Sequence, residues 1–306
     1  MKQLVLHTVF ALMTITAMAQ TQHRPVVSQY MHNALPLNPA FAGSVEALSV
    51  SASFRDQWTG MPGAPQTHLL SAHTPLRGER LAVGLVFWND RFGVSRQQTV
   101  QAMLAYRVRT RHGKLSFALS GGVDMAQNNW SEVVTNEAQD VLFTSGDDRY
   151  LLPTTGAGVY YHTQTFYFSL SAPDMLTVTY DGGGEYKAGV DLQRMPLYFA
   201  AGRQFSLTQQ VKVIPSVLAV RTPQQRLQVD ANLLVRYMCC FELGASYRSS
   251  RALVGLMRYH ISDQWSIAYA YDHWFSELSS FQNGTHELTL RYDMIYRKNA
   301  QNPKFF

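Results

Sequence analysis

The feature that most constrains this chain is its strict alternation of apolar and polar residues. Glu287-Leu288-Thr289-Leu290-Arg291-Tyr292-Asp293-Met294 puts an apolar or aromatic side chain at every even position and a polar or charged one at every odd position. A period of two is the period of a strand, so this segment has one oily and one wet face. Segments of the same kind follow one another along most of the chain, with no long helical window and no solenoid repeat between them. The pattern predicts fourteen strands, near 46–56, 66–76, 80–89, 96–109, 114–125, 154–162, 165–172, 195–205, 210–221, 226–237, 241–248, 251–260, 264–272 and 285–296. Two all-β architectures fit such a run: a soluble sandwich or jelly roll, and a closed transmembrane antiparallel β-barrel.

The connections decide between them. Those after even strands are tight, as in Arg77-Gly78-Glu79, Thr110-Arg111-His112-Gly113 and Ile261-Ser262-Asp263. The long ones follow odd strands: Gln57 to Pro65, Ala126 to Pro153, Pro173 to Arg194 and His273 to Gly284. A sandwich has no reason to sort loop length by strand parity. Outer-membrane barrels do so, with short periplasmic turns and longer extracellular loops, and bacterial ones have an even strand count. The expected fold is therefore a transmembrane barrel of about 14 strands over residues 46–296.

Export is written at the start. Lys2 provides a positive n-region, Leu4 to Ile15 an apolar h-region, and Ala17-Met18-Ala19 a cleavage signal before Gln20, so residues 1–19 read as a signal peptide. That stretch is too short for an anchor helix, and the longest later apolar run, near Leu81 to Trp88, is shorter still. A barrel needs no anchor, because closure satisfies its backbone groups within the sheet. Only 15% of residues are charged while 12% are aromatic, a balance that suits a lipid-facing sheet with aromatic girdles. Trp58, Trp88 and Trp274 are expected at outer strand ends and Trp265 at an inner one. The net charge of +5 is spread along the chain without a Lys/Arg run, so nucleic acid is not an expected partner.

The wet face carries both charge signs: Gln101 and Arg107; Gln228, Asp230, Asn232 and Arg236; Glu242, Ser246 and Arg248; Glu287, Arg291 and Asp293. Mixed signs favour a network of paired lumen charges over a strongly selective channel. Residues 20–45 contain Pro25, Pro36, Pro39 and Gly43 and cannot form a central strand. They read as an irregular periplasmic, plug or docking segment, with a plain linker as the alternative. The tail 297–306 is expected on the periplasmic side.

Chemistry is sparse. No phosphate loop, zinc signature or nucleophile elbow occurs, and His68 and His73, five apart in one strand, point to opposite faces. No cofactor, metal or catalytic residue is expected, and an enzyme is not the reading the residues favour. The only cysteines, Cys239 and Cys240, read as small residues at a turn, with a vicinal disulfide as the alternative.

A family resemblance runs through the chain. Gln29-Tyr30-Met31-His32-Asn33-Ala34-Leu35-Pro36-Leu37-Asn38-Pro39-Ala40-Phe41-Ala42-Gly43 resembles the opening signature of the PorP/SprF outer-membrane proteins of type IX secretion and gliding motility. Arg55-Asp56-Gln57-Trp58-Thr59-Gly60, Gly63-Ala64-Pro65-Gln66-Thr67, Asn89-Asp90 with Gly93, Leu115-Ser116-Phe117, Ser171-Ala172-Pro173 and Asn283-Gly284-Thr285-His286-Glu287-Leu288 continue it in order. His32 and Ala34 depart from it, since members often carry an aromatic and a proline there. The resemblance implies a non-enzymatic outer-membrane component that contacts membrane lipids, periplasmic ring or peptidoglycan-anchored subunits, and secreted or adhesin-type proteins. A general diffusion channel for small solutes is the alternative. Two candidate sites follow: a partner or plug segment at Gln29, Tyr30, Met31, Asn33, Asn38, Pro39, Phe41 and Gly43, and an extracellular-loop motif at Arg55, Gln57, Trp58, Gly60, Gly63 and Pro65.

Overall fold

The computed structural model describes residues 27–76, 78–132, 147–180, 186–191, 195–222, 227–275 and 281–294. The expected signal peptide and the tail 297–306 lie outside the described residues. The strands are β1 (Leu48–Asp56), β2 (Gln66–Pro75), β3 (Leu81–Phe92), β4 (Ser95–Arg109), β5 (Lys114–Asn128), β6 (Asp148–His162), β7 (Phe166–Ala172), β8 (Leu176–Tyr180), β9 (Tyr186–Val190), β10 (Leu197–Arg203), β11 (Phe205–Ser206), β12 (Val211–Arg221), β13 (Gln228–Tyr237), β14 (Phe241–Arg248), β15 (Ala252–His260), β16 (Trp265–Trp274) and β17 (Thr285–Met294).

Each long strand pairs antiparallel with its neighbour in sequence. The sheet closes through β1–β17 and β10–β12, giving a barrel of fourteen staves: β1 to β7, β10 and β12 to β17. Closure leaves the barrel no free lateral edge where its staves are paired, which is the condition for spanning lipid without a helix. The short β11 adds one step to β12, and β8–β9 is a separate hairpin in the loop after β7. The alternation sorts as expected. Leu288 and Leu290 point out to lipid, while Thr285, Glu287 and Thr289 are buried inside. His73 is buried and His68 is exposed.

Several expectations change. β5 and β6 continue to Asn128 and back to Asp148, so the loop between them is shorter than the sequence suggested. With fifteen residues each, β4, β5 and β6 run about 50 Å at roughly 3.3 Å per residue and, even tilted, project beyond the apolar band. β7 pairs with β6 only from Ala157 to His162, so the outer half of β6 stands above its neighbour. Pro153 lies in that stretch, where a missing N–H is tolerated. The β8–β9 hairpin was not foreseen. Trp88 is buried on the inward face of β3, and Trp274 shares the inward parity of Ala270 and Asp272; of the four expected girdle positions, Trp265 is the one on the outward face of its strand. Cys239 and Cys240 are free, exposed thiols in the tight β13–β14 turn, where Met238 and Cys239 take φ of 49° and 57°.

For residues 27–45 the expectation left a periplasmic, plug, docking or linker segment open. They do not hang at the periplasmic mouth. They thread the lumen, with Tyr30, Leu35, Asn38, Ala40, Phe41, Ala42 and Val45 all buried. The physical reason lies in the wall. The inward face of β3 is Ala82, Gly84, Val86 and Trp88, and that of β4 and β5 adds Met103, Ala105 and Ala118, an apolar surface that a water-filled lumen would leave exposed. Leu35, Phe41 and Ala42 cover it and form one core cluster with it.

Candidate functional site

The lumen segment folds by its own local rules before it meets the wall. His32 N–H donates to Gln29 O at 2.9 Å, and Asn38 N–H to Ala34 O at 2.9 Å, giving two successive tight turns. Asn38 then caps a short 3₁₀ helix, Pro39–Phe41, by accepting from Ala40 N–H at 2.8 Å, with proline in the first helical position where its missing N–H costs nothing. Gly43 ends the segment at φ 70°, and a Cβ there would stand 2.3 Å from Ala82 Cβ, so only glycine fits.

The wall grips the two halves differently. The first half is held by charge. Glu287 accepts from the backbone N–H groups of Ser28 at 2.9 Å and Gln29 at 3.2 Å, and Gln29 Nε2 returns a bond to Glu287 O at 2.9 Å. Ser28 Oγ donates to Asp272 at 2.7 Å and accepts from Arg55 at 3.0 Å and Arg248 at 3.3 Å. Arg55 in turn pairs with Asp272 at 2.6 Å and Glu287 at 2.9 Å, and Arg248 with Asp230 at 2.9 Å. These side chains come from β1, β13, β14, β16 and β17, near the outward ends of those strands. Four staves therefore converge on one serine, and β13 joins them through Arg248.

Lower in the lumen, Tyr30 meets Asn232, His32 Nε2 lies 3.2 Å from Glu242, and Arg291 donates to His32 O at 2.9 Å. Glu242 is also held by Arg236 at 2.7 Å.

The second half is held by packing. Phe41 stacks edge-on against His73 and Tyr160, with ring centroids 5.5 and 5.4 Å away. Asn38 Nδ2 donates to Val159 O at 2.9 Å and Ser169 Oγ at 2.8 Å, and Ser171 Oγ donates to Leu37 O at 2.6 Å. Gly158 makes the approach feasible, because a Cβ there would lie 2.0 Å from Asn38 Oδ1. Asn33 Nδ2 reaches Ser71 Oγ at 2.8 Å, and Gly43 N–H donates to His73 Nδ1 at 3.1 Å. Met31 lines two small cavities left between the segment and the wall.

The structure thus brings Gln29, Tyr30, Met31, Asn33, Asn38, Pro39, Phe41 and Gly43 into one lumenal element. The second motif splits. Arg55 points inward and belongs to the ionic anchor. Gln57, Trp58, Gly60, Gly63 and Pro65 stay in the β1–β2 loop and tie neighbouring loops together. Gln57 N–H bonds Pro65 O at 2.9 Å, Gly93 N–H bonds Gly63 O at 2.8 Å, and Thr59 exchanges backbone bonds with Asn283 and Gly284. Trp58, at φ 52°, rests edge-on against Trp274, and the Arg248 guanidinium sits 5.8 Å from the Trp274 ring. The sequence marks Asp230 and Glu242 only as lumen charges and does not single out Asp272. Their role as anchors follows from convergence across strands, which no single segment displays. Among the described residues no group of three or more His, Cys, Asp or Glu could hold a metal.

Comparison with known proteins agrees with this architecture. The family model described as "Type IX secretion system membrane protein PorP/SprF" matches residues 19–292. No curated protein matches the chain. Among solved structures, the Ralstonia pickettii toluene transporter TbuX is similar over 86% of this chain and 94% of its own, at 10% identity and a TM-score of 0.53. The Acinetobacter baumannii outer membrane protein Omp33 covers 82% and 100% at 8% identity and a TM-score of 0.49. At these identities the likeness to TbuX establishes the fold alone, an outer-membrane barrel.

Proposed function

The chain belongs to the PorP/SprF family of type IX secretion system membrane proteins and is an integral outer-membrane barrel, and from that premise we propose that it works as a closed, non-enzymatic docking scaffold rather than as a solute channel. One observation carries the reading: residues 27–45 occupy the lumen and are bonded to at least seven staves of the wall, from β1 and β2 to β6, β7, β14, β16 and β17. A segment fixed at so many points serves as a permanent part of the barrel. Function then falls to the two rims. The short turns face the periplasm and are the surface for ring or peptidoglycan-anchored subunits. The outer loops, tied to one another through Trp58, Gly63 and Gly284, are the surface for exported or adhesin-type proteins. Family and fold resemble non-enzymatic barrels, and no nucleophile–base pair is called for.

Conductance in planar bilayers tests this. The native protein is expected to give no steady single-channel current, and a variant lacking residues 28–43 but still heat-modifiable is expected to give discrete open steps. A steady open pore in the native protein would overturn the scaffold and favour small-solute diffusion. Loss of surface export in a deletion strain whose other outer-membrane barrels are intact would support the role in secretion.

A further inference from the structure

Most of the buried lumen arginines are answered by a carboxylate from the same chain. Arg55 has Asp272 and Glu287, Arg236 has Glu242, Arg248 has Asp230, and Arg291 has Asp293 at 2.9 Å. Arg107 is different. It stands on the inward face of β4 near its periplasmic end, opposite Ser116 of β5, and is only 3% exposed. Among the described residues, none of its three side-chain nitrogens, Nε, Nη1 or Nη2, has a hydrogen-bond partner. The acids nearest this rim are bonded elsewhere, Glu79 to Arg109 and Glu46 to Lys114; Glu79 acts on Arg107 through charge without bonding it. One strand beyond β5, inward-facing His162 also leaves Nδ1 without a partner. His73 offers no acceptor, since its Nδ1 is taken by Gly43 N–H.

A guanidinium stays charged at any physiological pH, so it cannot escape burial by losing its proton. Five donors arranged in a fork, unanswered and withdrawn from water, match an ion with two or more oxygens held side by side. The position is suggestive too. Nη1 lies against Gly43, where the lumen segment leaves the barrel, and a Cβ at that glycine would come within 3.4 Å of it. We propose that the periplasmic mouth carries an oxyanion site in which Arg107 binds a carboxylate or phosphate group at the seam between β4 and the exit of the lumen segment. The group is supplied either by a free periplasmic anion or by an acidic side chain of a protein docked on the rim.

The full-length protein in detergent tests this, with unfolding followed by loss of heat-modifiability and inorganic phosphate as the probe against sodium chloride at matched ionic strength. Phosphate is expected to raise the midpoint saturably in the native protein. Arg107→Lys, which keeps the charge but loses the fork, is expected to need at least tenfold more phosphate. Arg107→Met is expected to show no phosphate response and a higher midpoint than the native protein in phosphate-free buffer, because the unanswered charge is gone. Phosphate acting no better than chloride, or equally on Arg107→Met, would mean that ordered water alone satisfies Arg107 and would overturn the proposal. Native mass spectrometry of membrane-extracted protein separates the sources: a retained small anion marks a free ligand, and a co-extracted acidic polypeptide lost in Arg107→Met marks a docked protein.

Discussion

At the scale of single residues, the lumen segment depends on a few side chains that work in two directions. Asn38 is the clearest: its oxygen caps the 3₁₀ turn and its nitrogen holds β6 and β7. Asn38→Ala removes the cap and leaves wall acceptors unanswered, and is expected to lower stability by about 2–3 kcal/mol, read as a shift in the urea midpoint of heat-modifiability. Gly158→Val places atoms where Asn38 Oδ1 sits and is expected to displace the turn, seen as new protease sensitivity between residues 34 and 42. On the lipid side, Leu290→Arg is expected to impair insertion by roughly 2–4 kcal/mol, whereas Thr289→Ser on the inward face is expected to insert normally.

At the scale of elements, the lumen segment and the barrel are one folding unit. The segment covers the apolar faces of β3, β4 and β5 and is the point where charges of β14, β16 and β17 meet. Fixing the segment should therefore change little. An Asn33→Cys/Ser71→Cys pair, which joins the segment to β2 outside the ionic anchor, is expected once oxidised to a disulfide to export normally and to remain non-conducting. Export that fails when the pair is oxidised and returns on reduction would mean that the segment moves in use. Much of this element was legible in sequence as an irregular stretch, since Pro36 and Pro39 exclude a strand. Its place inside the barrel had a fainter signal. Leu81-Ala82-Val83-Gly84-Leu85-Val86-Phe87-Trp88 is apolar on both faces, which a strand between lipid and water would not be. Trp88 lies near a strand end, as a girdle residue would, but its parity turns it inward.

At the scale of the whole molecule, the fourteen-stave closure and the family membership agree on an outer-membrane protein. The protein is expected to fractionate with the outer membrane and to migrate faster unheated than boiled; recovery as a soluble monomer would contradict the fold. The rim is uneven because β7 and β10 are short where β4, β5 and β6 are long, so the outer face is a ridge beside a low wall bearing the β8–β9 hairpin.

Sequence alone determined the fourteen staves and the alternation along them, because alternation is a local property and each stave carries it whole. It also determined the sorting of loops, since turn length is written between the strands. Register and convergence belong to the closed sheet. That Arg55, Asp230, Arg248, Asp272 and Glu287 meet around Ser28, and that Arg107 bonds no acid among the described residues, depends on which residues of distant strands come to the same height in the lumen. Closure sets those heights only after every stave is paired, so no segment could display them by itself.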